Sequence, residues 1–281
     1  MEELTITCAD GRPLAGRFFK GSATPSRGLL LISPATGVPQ RFYTAFARHF
    51  AQRGWDVLSW DVRGIAASRQ GPAAADAARL RDWGQLDLEA ALQHAHQRLG
   101  YDWAQICLLG HSSGGNLSGL APSLARLPRM ALIASGTCHW RLYPKAQWPR
   151  LLLAWGLAMP LLLRLLGHVP GWAGIGQDLP PGVAREWRRW SLMPGYLFSE
   201  PGLDTAGYAA FRGELLALSV SDDRGFAPPA TVRDLLHRFS AARIQHRELQ
   251  PRAHGLRRIG HFGFFRQPQL WPELEVWLAA G

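Results

Sequence analysis

Lysine is almost missing from this sequence: Lys20 and Lys145 are the only two among 281 residues, and arginine supplies the rest of the 31 basic residues. Against 21 acidic residues this gives a formal net charge of +10. The arginines are scattered instead of being gathered on one element with interleaved aromatics, so no nucleic-acid partner is expected. With abundant alanine, glycine, proline and tryptophan, the bias fits a GC-rich coding sequence. Cysteine is also scarce. Cys8, Cys107 and Cys138 are odd in number and lack metal-ligand spacing, so neither a disulfide framework nor a metal site is expected. The thiols read as buried or idle in a reducing compartment. Long apolar runs are missing too: the longest, Leu151 to Leu163, is closed by Arg164, short of the ~20 residues of a spanning helix. Met1-Glu2-Glu3-Leu4 lacks the basic start and apolar core of a signal peptide, and a soluble cytoplasmic chain is the expectation. There is no Gly-X-Y or heptad period and no low-complexity linker. At 47% hydrophobic and 19% charged, the composition is that of a globular protein.

What is present is an alternation of strands and helices. Leu4 to Cys8 and Leu14 to Phe19 alternate around Asp10-Gly11, a hairpin signal. Leu29–Ile32, Asp56–Trp60, Gln105–Leu109 and Met130–Ala134 read as buried strands. Helical spacings over 42–54, 80–99 and 113–127 separate them. After Gly136 the pattern stops. Residues 137–210 hold six of the twelve tryptophans, with helical pieces around 148–167 and 183–191. Strand (215–220), helix (229–239), strand (243–249) and helix (270–280) then resume. An α/β core over 1–136 and 211–281, with a mostly parallel sheet, helices on both faces and an inserted helical cap at 137–210, is predicted.

One motif carries chemistry. Gly110-His111-Ser112-Ser113-Gly114-Gly115 lies between a strand and a helix and matches G-x-S-x-G, a sharp turn that lifts its serine above a sheet. Ser112 is thus the candidate nucleophile; an N-cap serine would not call for glycines on both sides. A serine hydroxyl needs a base oriented by an acid. The chain order Ser, acid, His leaves Asp222 and Asp223 after the strand at 215–220, and His261 in Gly260-His261-Phe262-Gly263 ahead of the last helix. His254 is the rival base, and Phe262, Phe264 and Phe265 can pack beneath His261.

The sequence resembles the serine enzymes of the α/β-hydrolase fold, in particular bacterial predicted hydrolases related to serine aminopeptidase and monoacylglycerol-lipase-like enzymes. The likeness rests on residues 35–43, Asp61-Val62-Arg63-Gly64-Ile65, the Ser112 turn, Asp178-Leu179-Pro180 with Trp187 and Trp190, Asp222-Asp223 and residues 260–265. It implies Asp223 as the orienting acid, with Asp222 as a loop or capping residue. Where relatives have His-Gly, this chain has Ser33-Pro34. Counting back from Arg41-Phe42-Tyr43 puts Ala35 at the oxyanion-donor position, with Thr36 as the alternative and Ser113 as the second donor. Ala66 replaces a glycine of the related pattern. Asp61, Arg63 and Ser68 read as a strand-end carboxylate and its arginine fixing a loop.

The resemblance implies hydrolysis of a small-molecule carboxylic ester, acyl or lipid-like, through a Ser-His-Asp triad and an acyl-enzyme, with no cofactor and no metal. Amide cleavage and acyl transfer use the same residues, and a non-catalytic binding protein is the outside alternative. Thr36, His111, Trp155 and Leu162 are expected to line the substrate site. No Asp or Glu occurs from Trp103 to Gln177, whereas Arg126, Arg129, Arg141, Lys145, Arg150 and Arg164 do. This basic, apolar rim would suit an anionic acyl ester or a transient membrane-surface contact.

Overall fold

The computed structural model describes residues 1–174 and 176–280. Its strands are β1 (Glu2–Thr7), β2 (Pro13–Phe19), β3 (Leu29–Ser33), β4 (Asp56–Trp60), β5 (Ile106–His111), β6 (Arg129–Ile133), β7 (Glu214–Val220) and β8 (Arg243–Leu249). They form a sheet in the order β1-β2-β4-β3-β5-β6-β7-β8. The β1–β2 and β2–β4 pairs are antiparallel and the rest parallel. Asp10-Gly11 makes the predicted first turn, with Gly11 at φ +81°, a backbone region that glycine enters without a Cβ clash.

Period-two alternation explains why the central strands are apolar throughout. Leu29, Leu31, Leu108, Met130, Leu132, Leu215 and Ala217 enter the core on one face. Leu30, Ile32, Cys107, Leu109, Ala131, Ile133, Leu216 and Leu218 enter the core on the other. Helices α1 (Thr44–Gln52), α9 (Gly263–Arg266) and α10 (Pro272–Ala279) cover this second face; α2 (Glu89–Gln97) and α8 (Pro229–Leu236) cover the first. Both faces being buried, the strands need no polar alternate residues.

The predicted helix over 113–127 is not continuous. Only α3 (Ser113–Asn116) is α-helical, followed by 3-10 turns at Ser118–Leu120 and Pro122–Arg126. Tyr208 Oη donates to the Asn116 carbonyl, removing an acceptor from the helical ladder. A Cβ on Gly119 would meet the Tyr208 ring at 2.3 Å, and Pro122 supplies no N–H. The 80–99 helix likewise opens with a π turn at Trp83–Leu88 before α2.

Between β6 and β7 lie α4 (Trp148–Leu153), a π turn at Ala154–Ala158, α5 (Met159–Leu166), α6 (Pro181–Leu192) and α7 (Ala206–Ala210). Among the described residues this segment shares the body's core. Its Trp155, Met159, Val183, Trp190, Tyr196 and Leu197 pack into the same cluster as Leu88, Leu92 and Leu120. Arg81 fastens it further, donating to Glu186 (Nε–Oε1 2.5 Å) and Glu200 (Nη2–Oε1 2.9 Å). Arg69 Nη2 reaches the Asp178 carbonyl at 3.0 Å. Arg63 departs from expectation: it pairs not with Asp61 but with buried Asp87 (Nε–Oδ1 2.6 Å) and Asp10 (Nη1–Oδ2 2.7 Å). Asp61 instead accepts the Gln40 N–H at 2.6 Å, the Ala67 N–H at 3.2 Å and Gln40 Nε2 at 3.3 Å, neutral donors and not a cation.

Candidate active site

Ser112 sits at the junction of β5 and α3 with φ +52° and ψ −115°, a conformation in which a side-chain-bearing residue is strained. The neighbouring glycines make room for it. A Cβ on Gly114 would lie 2.2 Å from the Ser33 carbonyl oxygen, and one on Gly115 would lie 2.2 Å from Ser135 Oγ. The turn is thus held between β3 and β6, and Ser112 itself remains part-exposed.

Across from it the β7 end brings acid and base together. Asp223 Oδ2 lies 2.6 Å from His261 Nδ1, and both side chains are buried. Asp223 Oδ1 also accepts the Phe226 N–H at 3.1 Å. Asp222 faces the other way: its oxygens accept the Ile259 N–H at 3.1 Å and the Gly260 N–H at 2.8 Å. One aspartate therefore orients the imidazole while its neighbour clamps the loop that carries it. Phe226 stacks on the His261 ring at 4.7 Å and Phe262 meets it edge-on at 4.9 Å. His254 stands apart, near Glu273. Among the described residues Ser112 Oγ and His261 are not hydrogen bonded; such contacts are often long before substrate arrives.

His111 was expected at the substrate, but it is fully buried beneath the site. Its Nε2 lies 3.1 Å from the His261 carbonyl oxygen, which only accepts, so Nε2 carries the proton. Nδ1 then accepts from Tyr43 Oη at 2.9 Å. The Tyr43 oxygen in turn accepts the Ala35 N–H at 2.9 Å. Burial, with the nearby His261, holds the His111 pKa well below its ordinary 6.5, in keeping with a neutral ring. This chain of bonds corrects the expected donor at Ala35. Its N–H is committed to Tyr43, and the residue is 2% exposed. Thr36 instead borders the cleft beside Ser112 and Ser113. Among the described residues neither the Thr36 nor the Ser113 N–H has a protein acceptor.

The cleft over Ser112 has a volume of about 210 Å³. Thr36 and Trp155 line it. Leu162 does not; it is half-buried against the core cluster that the inserted segment shares with the body. Sequence reasoning missed Tyr143, Met159, Tyr196 and Phe226; the first three lie in the inserted stretch, whose aromatic density was the one signal, and Phe226 lies in the loop after β7. Cys138, expected to be idle, also borders the cleft, and burial raises its thiol pKa. Among the described residues, no group of three or more His, Cys, Asp or Glu is placed to hold a metal ion.

A doubly covered sheet with a strained serine turn after β5, an acid after β7 and a histidine after β8 defines an α/β hydrolase. The chain belongs to the serine aminopeptidase S33 hydrolase family, which it matches over residues 24–181. No curated protein sequence matches it. Similar solved structures include a soluble variant of monoglyceride lipase from Saccharomyces cerevisiae in complex with a substrate analogue. That chain is 13% identical, with 99% of this chain and 94% of that one covered at a TM-score of 0.67. A thermophilic esterase from Thermogutta terrifontis is 17% identical, covering 100% and 99% at 0.63. Est1E from Butyrivibrio proteoclasticus is 13% identical, covering 100% of both chains at 0.58. At these identities the likeness is one of fold.

Proposed function

We propose that this hydrolase cleaves small carboxylic esters through an acyl-enzyme on Ser112. The observation that carries the reading is the 2.6 Å Asp223–His261 pair opposite the strained Ser112 turn. In this reading His261 Nε2 takes the Ser112 proton as Oγ attacks the ester carbonyl. The oxyanion is held by the Ser113 and Thr36 N–H groups, each such donor being worth about 3–4 kcal/mol in the transition state. His261 returns the proton to the leaving alcohol, and water then repeats the sequence to release the acid. Asp223 accepts the Nδ1–H and keeps the imidazole in the productive tautomer. The inserted segment acts as a cap whose cleft-facing side chains set acyl preference.

The lining favours an ester over an aminoacyl amide. A substrate N-terminus brings an ammonium group, yet among the described residues around the cleft none is Asp or Glu, and Arg150 is the charged one. Chromophoric esters of graded acyl length, assayed beside an aminoacyl amide, test this. Turnover of the esters with no cleavage of the amide is expected; the reverse order would overturn the ester reading.

A further inference from the structure

We infer that the outer face of the helical run Lys145–Leu166 docks on an anionic phospholipid surface. The run is 22 residues long; its most apolar 18-residue stretch has a mean hydropathy of 1.5, yet only 11% of that stretch is buried. Its exposed leucines are ordered. Leu153, Leu157, Leu161 and Leu165 recur every fourth residue and are 58%, 60%, 49% and 68% exposed. That spacing makes one stripe on the helix, flanked by exposed Leu152 and Leu166. Contiguous apolar surface of this kind is unusual on a soluble chain and marks an interaction face.

The opposite face of the same helix fixes its pose. Trp155 and Met159 are buried in the body's core, and Arg188 Nε donates to the Trp155 carbonyl at 2.6 Å. A helix held down along one side cannot cross a bilayer as this fold stands. It can lie in the interface with its stripe among the acyl chains.

Charge selects the partner. Arg164, Arg185 and Arg188 line a surface hollow of about 370 Å³ with Pro160 and Leu163, beside the stripe. Among the described residues none of these arginines is in an ion pair with a carboxylate, in contrast to Arg81 and Arg189 nearby. Arg164 and Arg185, with Arg188 beside them tied by its Nε to the Trp155 carbonyl, place positive charge without a carboxylate partner beside the apolar stripe, which matches the phosphates of an anionic lipid headgroup layer. A symmetric dimer through this face would bring the same arginines towards each other. The inference stands independently of which bond the enzyme cleaves. It also has a spatial sequel: Leu151 and Ala154 of this helix border the Ser112 cleft, so docking would bring the cleft close to the lipid.

Flotation with vesicles tests it, using phosphatidylcholine alone and with about one-third phosphatidylglycerol. The full chain should float with the anionic vesicles about tenfold more than with the neutral ones, and raising salt to about 0.5 M should release it as screening shortens. Leu157→Asp/Leu161→Asp and, separately, Arg164→Glu/Arg185→Glu should each abolish flotation. The second variant leaves the apolar stripe intact, and both alter exposed side chains whose loss should not unfold the chain. The inference is overturned by a wild type that stays in the aqueous fraction, by equal binding to both vesicles, or by an arginine variant that floats like wild type. A dimer that Leu157→Asp/Leu161→Asp makes monomeric, without vesicle binding, would assign the face to a second copy. Because flotation does not depend on turnover, a failed esterase assay leaves this result readable.

Discussion

At the scale of single residues, Tyr43 has the most consequential place outside the reacting groups. Its hydroxyl accepts from Ala35 and donates to His111, which donates to the His261 carbonyl. One buried chain of bonds thereby couples the loop offering the Thr36 N–H to the loop carrying His261. Tyr43→Phe strands the Ala35 N–H and the His111 nitrogen, each loss costing about 1–3 kcal/mol where buried. If the coupling positions the oxyanion donor, kcat should fall about tenfold or more with KM nearly unchanged. Steady-state kinetics with a short-chain ester, alongside a melting curve, checks this; a lowered melting point with unchanged kcat would reduce Tyr43 to a structural role. Sequence position could not reveal this chain of bonds, because its members lie 8, 68 and 150 residues apart along the chain. Between the two aspartates, the family resemblance implied Asp223, and Asp223 is the one that pairs with His261. The choice between Ala35 and Thr36 was not legible, because it turns on where a backbone N–H points.

At the scale of elements, the strands were the most legible feature and the inserted helices the least. Buried parallel strands declare themselves as short apolar runs bounded by turns, and β3, β4, β6 and β7 fall within a residue or two of where those runs lie. The broken helix after Ser112 did not, because what ends it is Tyr208 from a distant helix. The same blindness affected the inserted segment. Trp155 and Leu162 lie on one apolar run, yet only Trp155 turns into the cleft. Trp155→Ala should therefore shift the preferred ester towards longer acyl chains by enlarging the cleft. Leu162→Ala should leave the preference unchanged while lowering stability by no more than about 2 kcal/mol, for a half-buried leucine. Hydrolysis rates across a series of acyl lengths decide this. Identical profiles for wild type and Trp155→Ala would make the inserted segment structural only.

At the scale of the whole molecule, the two faces of the sheet and the inserted segment converge on one point. β5 ends at the serine, β7 at the acid, and the loop after β8 carries the histidine, so three strand ends meet at one edge. The segment between β6 and β7 shares the body's core and borders the Ser112 cleft, with a leucine stripe on its outer side. All of this has chemical meaning only if Ser112 is the nucleophile. A fluorophosphonate probe, which forms a bond only to an activated serine, with the adduct located by peptide mass mapping, tests that most directly. The label should map to Ser112, vanish in Ser112→Ala and form orders of magnitude more slowly in His261→Ala, because triad members act as a unit. A label on another residue, or a Ser112→Ala variant that hydrolyses esters at the wild-type rate, would contradict the account.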